Sequence, residues 1–135
     1  MTASPRILAL FGTRVLFGAE RANIDVLAAL KERGCEVLCL IRDEDWNDVI
    51  PSALSARGLA WQKVSYIDGW LPGWRMRILL RNPIAFIAGN LRFLSIAREF
   101  RPTHVHTFNQ FIILCFLPAL LISKIPLVYN CGDKP

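Results

Sequence analysis

The chain has 135 residues, of which 53% are hydrophobic and 20% charged. That suits one well-filled globular domain and excludes a disordered tail or two domains of ordinary size. The formal net charge is +5, and it has a single source. Between Trp70 and Arg101 six arginines (Arg75, Arg77, Arg81, Arg92, Arg98, Arg101) face one acid, Glu99, while the rest of the chain balances ten basic with ten acidic side chains. One local basic patch points to an anionic partner at one place.

In chain order, Arg6–Phe11 is a short apolar run ending at Gly12 and reads as a buried strand. Gly12–Gly18 is a loop. A helical pattern follows, with Ala19, Ala22, Val26, Leu27 and Leu30 expected on its inner face and Gly34 as its stop. Glu36–Ile41 is the second strand. Asp43–Arg57 starts acidic and turns helical up to Gly58, and Leu59–Ile67 is a weaker third strand. Trp70–Trp74 is a loop. Met76–Phe100 holds helix broken near Asn82-Pro83, because proline disfavours helix in the residue before it. Within that region Arg92, Ser95 and Glu99 make a narrow polar stripe. Thr103–Phe108 is the fourth strand, Gln110–Lys124 an apolar helix, and Pro126–Asn130 the fifth strand.

Apolar strands alternating with helices predict an α/β fold: a Rossmann-like, doubly wound parallel sheet of five strands, covered on both faces, in the order 3-2-1-4-5. Functional loops of such sheets lie at the carboxyl ends of the strands. Here these are Gly12–Gly18, Arg42–Asp45, Asp68–Gly73, Phe108–Gln110 and Asn130–Asp133.

Four cysteines (Cys35, Cys39, Cys115, Cys131) occur without any CxxC, and only two histidines could add ligands. No metal site is expected, and reduced thiols of a cytosolic protein are the better reading. Ile7–Phe11 is interrupted by Arg14 before it could form a signal peptide. Phe111–Ile122 is too short to cross a bilayer, which takes about 20 residues as helix.

The Gly12–Gly18 loop matches neither the dinucleotide fingerprint nor Walker A. Taken alone, Gly18 is as well explained by a tight strand-to-helix turn. Three ordered blocks carry more. Phe17-Gly18-Ala19-Glu20-Arg21, followed by Leu30 to Val37, resembles the GGAER opening of family 4 glycosyltransferases. Arg101-Pro102-Thr103-His104-Val105-His106-Thr107-Phe108-Asn109 resembles that family's RPDVVHAHN strand. Ile125-Pro126-Leu127-Val128-Tyr129 through Asp133 resembles its GVPLVYTLHD strand. Three positions depart from the pattern: Phe17 replaces the first glycine of the pair, Phe108 the second histidine, and Gly132 the histidine before the final acid.

The resemblance implies one half of a GT-B enzyme, in which two Rossmann-like domains face each other across a cleft. It implies transfer of a sugar from a nucleotide-sugar donor, with retention, to an acceptor such as a lipid-linked or cell-envelope glycan. The donor is a co-substrate, and no cofactor is implied. Residues 1–135 would be the N-terminal domain. The donor-binding C-terminal domain, with its E-x7-E motif, has no counterpart in them, so this chain alone is expected to be inactive. By the same resemblance His106 and Asp133 are the candidate catalytic residues, with Gly12, Arg14, Gly18 and Ala19 at the donor phosphates and Asn109 and Asn130 at the acceptor.

Each residue has a plainer reading as well. His104 and His106 share a side of one strand, and His104 is expected to pack or hydrogen-bond near the strand start. Asp133 serves equally as a loop cap, and Trp61 is expected in the core. Trp70 and Trp74 beside Arg75, Arg77 and Arg81 suit an anionic membrane surface, which places the protein in the cytoplasm or peripherally on the inner membrane face. Nucleic acid is disfavoured because the patch is aliphatic and lacks a binding motif. Two other classes remain open: a non-catalytic membrane-associated scaffold, and a flavodoxin-like domain binding a free phosphate ligand.

Overall fold

The computed structural model describes residues 3–12, 16–42, 48–64 and 83–130. The strands are β1 (Arg6–Leu10), β2 (Glu36–Arg42), β3 (Ala60–Val64), β4 (His104–Thr107) and β5 (Leu127–Tyr129). The helices are α1 (Gly18–Glu32), α2 (Val49–Ala56), α3 (Pro83–Phe100), α4 (Gln110–Cys115) and α5 (Leu117–Ser123). All four strand pairings are parallel, in the order β3-β2-β1-β4-β5. This is the doubly wound sheet that the strand and helix alternation predicts.

Strand side chains alternate between the two faces, and the core divides accordingly. Ile7 and Ala9 of β1, with Phe11 just after it, join Val37, Cys39 and Ile41 of β2 against Ile24 and Leu27 of α1 and Ile50 and Leu54 of α2. Leu8 and Leu10 join Leu38 and Leu40 against Phe93 and Ile96 of α3, Ile112 of α4, Phe116 at the junction and Leu120 of α5. Phe93 and Phe116 meet with ring centroids 5.3 Å apart.

The structure departs from the sequence reading in three places. The inner face of α1 is rotated: Glu20, Asn23, Ile24, Leu27 and Ala28 are buried, while Ala19, Ala22 and Val26 are exposed. Two polar residues therefore lie on the packed face, each held by hydrogen bonds described below. Trp61 packs against the core but is only half-buried, its indole N–H donating to Ser55 Oγ at 2.9 Å. Finally, Gln110–Lys124 is two helices. Pro118 has no N–H, and its ring collides with the carbonyl four residues back, so the chain breaks at Phe116 (φ −112°) and restarts.

The restart is capped from outside. Phe116 has no side-chain oxygen to offer the first turn of α5, and Asn90 of α3 supplies one. Its Oδ1 accepts from Ala119 N–H at 3.1 Å. Its amide nitrogen donates to the carbonyls of Phe86 and Cys115, each at 2.9 Å. One buried side chain thus joins three helices. Asn90→Ala is expected to lower stability by about 2 kcal/mol, the cost of stranding a buried polar group. A urea midpoint unchanged by this substitution would refute the role.

Candidate functional site

The carboxyl ends of β1, β4 and β5 lie side by side, and the start of α1 crosses above them. Gly12 leaves β1 where space is shortest: a Cβ there would stand 2.9 Å from both Asn109 Nδ2 and Ile112 Cδ1. A side chain at this position would have to push the tips of Asn109 and Ile112 aside, so glycine fits the space without rearrangement. Phe11 and Phe108 pack edge to face nearby, centroids 5.4 Å apart. Asn109 is positioned by its own turn, its N–H donating to the buried Thr107 Oγ1 at 3.3 Å.

Gly18 is different. A Cβ there would meet nothing within 4 Å, so neither packing nor backbone conformation demands glycine. It begins α1, where the first N–H groups have no intrahelical acceptor. Glu20 reaches back to the N–H of Phe17, Oε2 accepting at 3.1 Å. Phe17, lacking an oxygen, cannot return the bond as a serine or threonine would. A buried carboxylate thus already sits at this helix end.

Asn23, one turn further along α1, was missed by the sequence reading and is the centre of the cluster. It is buried. Its Nδ2 donates to the Ala19 carbonyl at 2.8 Å, which turns Oδ1 toward the strand ends. There Oδ1 meets His106 Nε2 at 3.1 Å and accepts from Asn130 Nδ2 at 3.4 Å. One amide therefore links α1, β4 and the end of β5. An amide oxygen carries no hydrogen, so the His106 nitrogen facing it must be protonated. The imidazole is then the Nε2–H tautomer, with Nδ1 left as acceptor. Partial burial lowers the His106 pKa below its ordinary 6.5 and keeps the ring neutral. The available signal for Asn23 was a polar residue between Ala22 and Ile24, three positions after Glu20.

The structure therefore gathers Gly12, Ala19, His106, Asn109 and Asn130 at one edge. His104 lies at the other end of β4, exposed, its Nδ1 2.9 Å from Thr103 Oγ1. Arg14, Asp133, Trp70, Trp74, Arg75, Arg77 and Arg81 lie outside the described residues, as do Trp46 and Cys131. Cys39 is fully buried, and burial pushes its thiol pKa up to about 12; it is a core residue and not a nucleophile. Among the described residues no group of three His, Cys, Asp or Glu side chains gathers, and no helix is long and apolar enough to cross a membrane.

No family model and no curated protein matches the sequence. Solved structures do match the fold. MurG from Acinetobacter baumannii superposes with a TM-score of 0.67 over 94% of this chain and 34% of its own, at 15% identity. The spinosyn rhamnosyltransferase SpnG, complexed with thymidine diphosphate, does so at 0.58 over 97% and 36%, at 14% identity. A UDP-GlcNAc 2-epimerase from Neisseria meningitidis, bound to UDP-GlcNAc, gives 0.54 over 92% and 31%, at 16% identity. The chain has the architecture of one Rossmann-like half of a GT-B fold and spans about a third of each of these proteins. Transferase and epimerase share it, so the architecture alone does not choose the reaction.

The histidine gives a pH test. Because its folded pKa lies below the unfolded value, the unfolded chain takes up the proton first as pH falls. Stability contributed by neutral His106 is present above pH 6.5 and declines as pH drops from there through the folded pKa. Urea unfolding at about pH 7.5 and about pH 5 should show this loss, and His106→Gln, which keeps a donor for Asn23, should lose less. An identical pH dependence in the variant would contradict the neutral, half-buried assignment.

Proposed function

We propose that residues 1–135 form the acceptor-side half of a retaining glycosyltransferase of the family 4 type, moving a sugar from a nucleotide-sugar donor to a lipid-linked or cell-envelope acceptor. The observation that carries this reading is the Asn23, His106 and Asn130 cluster at the carboxyl edge of β4 and β5, directly beneath the start of α1. In that position a donor diphosphate would approach the backbone of Gly12, Gly18 and Ala19. As the bond from the anomeric carbon to the phosphate oxygen breaks, charge grows on the leaving diphosphate, and N–H dipoles with a cation stabilise it. Glu20 opposes that charge at the same helix end, so a cation is needed; Arg14 and the exposed Arg21 are the nearest in sequence.

Neutral His106 suits an acceptor sugar better than a phosphate. Its Nδ1 can accept from a sugar hydroxyl while Nε2–H stays on Asn23. Asn109 and Asn130 add amide groups that can both donate and accept, and Asp133 is assigned to orient the attacking hydroxyl. The new bond forms from that hydroxyl oxygen to the anomeric carbon, and its proton leaves with the diphosphate.

A membrane surface fits the other end of the charge distribution. On α3, Ile84, Ile87 and Leu91 follow one another at helical spacing and are each more than half exposed. Phe93 and Ile96 of the same helix are buried in the core instead. With Arg75, Arg77, Arg81, Trp70 and Trp74 just before them in sequence, they suit an anionic bilayer, where each basic residue adds about 1 kcal/mol.

Two experiments test the reading. Titration of the labelled chain with UDP- and TDP-hexoses, followed by NMR, should shift Gly18, Ala19, His106 and Asn130 with dissociation constants near millimolar, about −4 kcal/mol. Micromolar binding or turnover by this chain would refute the half-enzyme assignment; shifts confined to the opposite sheet edge would refute the site. In the second, the chain should co-sediment with anionic vesicles, hardly with zwitterionic ones, and be released by salt. Reversing Arg75, Arg77 and Arg81 to Glu, or replacing Ile87 and Leu91 with Asp, should abolish it. Binding that ignores lipid charge would end the membrane assignment.

A further inference from the structure

At the opposite edge of the sheet, away from His106, a groove of about 400 Å³ opens between the C-terminal ends of α3 and α5. Leu94 and Ala97 of α3 face Ile122 of α5 and Ile125 across it, and Arg98 and Arg101 stand over it. Both helices end on a basic residue in the left-handed region, Arg101 at φ 52° and Lys124 at φ 55°. Glycine usually fills such positions.

The ordinary explanation of cations at a helix C-terminus is that they satisfy the last carbonyls. Here other groups do so. Ala97 O accepts from the Arg101 backbone N–H, Phe100 O from Arg6 Nη1, and Leu120 O from Ser123 Oγ and the Lys124 backbone N–H. Arg6 is itself held by Glu36 at 3.0 Å and lies over the Phe100 ring. Among the described residues neither the Arg98 nor the Arg101 guanidinium has a hydrogen-bond or ion-pair partner. Two unmatched cations thus stand above an apolar trough whose volume lies within the range of small-molecule sites, about 300–1,000 Å³.

We propose that this groove binds a single-chain anionic amphiphile. Its alkyl tail lies along Leu94, Ala97, Ile122 and Ile125, and its phosphate or carboxylate head is held between Arg98 and Arg101. The apolar floor accounts for the tail and the unpaired guanidinium groups for the head; neither feature alone selects both. The site is independent of sugar transfer, since it shares no residue with the His106 cluster.

The test uses decyl phosphate at concentrations where it is monomeric, titrated into the labelled chain and followed by NMR. Saturable one-to-one binding should shift the Ala97, Arg101 and Ile125 amides and leave Gly12 and His106 unmoved. Decyl maltoside, with the same tail and no charge, and inorganic phosphate, with the charge and no tail, should each bind at least tenfold more weakly. Arg101→Gly removes one cation while suiting the left-handed backbone, so it should fold at least as stably yet weaken binding about tenfold. Arg98→Gln, on the exposed face of α3, should do the same. Equal affinity for either control ligand, unchanged affinity in both variants, or shifts mapping elsewhere would overturn the proposal.

Discussion

Within the sheet β1 has no solvent-facing side. Ile7 and Ala9 press into one layer of helices and Leu8 and Leu10 into the other, and β2 and β4 flank both edges of the strand. Everything else is placed by that two-sided burial. A parallel partner on each edge requires a crossover over each face. α1 and α2 therefore occupy one face and α3, α4 and α5 the other, and all the strands end in the same direction. The candidate site at their carboxyl ends follows from this arrangement and is not a separate device.

Polar side chains then do at the layer boundaries what apolar ones cannot. Asn90 and Asn23 are both buried asparagines on helix faces, and each joins three segments of chain. Asn90 works on the α3 side and closes a helix that proline has interrupted. Asn23 works on the α1 side and fixes the tautomer of a histidine. Burial makes both geometries costly to break, because the alternative is an unsatisfied group shielded from water. It also makes them directional, which apolar contact is not.

The strand order and the element sequence were legible in the sequence, because short apolar runs alternating with helical patterns and the placing of Gly12, Gly34 and Gly58 are local signals. Gly34 and Gly58 take positive φ of 95° and 70° where α1 and α2 end. The face of α1 was not legible. Ala19, Ala22 and Val26 make a plausible apolar stripe, but alanine contributes little apolar area, and Glu20 and Asn23 are satisfied by partners far away in sequence or at the helix start. Asn23 meets its partners across 83 and 107 residues. No local pattern encodes such a contact. The break at Phe116 was signalled by Pro118, and the apolar composition of Gln110–Lys124 concealed it.

The crowding at Gly12 has a consequence for how this sequence can change. The contacts that crowd a side chain there come from Asn109 and Ile112, on the loop and helix that follow the neighbouring strand β4. Substitution at position 12 is therefore coupled to positions 109 and 112, and the three do not vary independently. An alanine at 12 requires the tips of the Asn109 and Ile112 side chains to shift, or one of those residues to be trimmed. Since Asn109 borders the candidate site, a change at position 12 is felt there as well. A bulkier first loop is thus reached together with a changed site edge, because the clearance at Gly12 is only 2.9 Å.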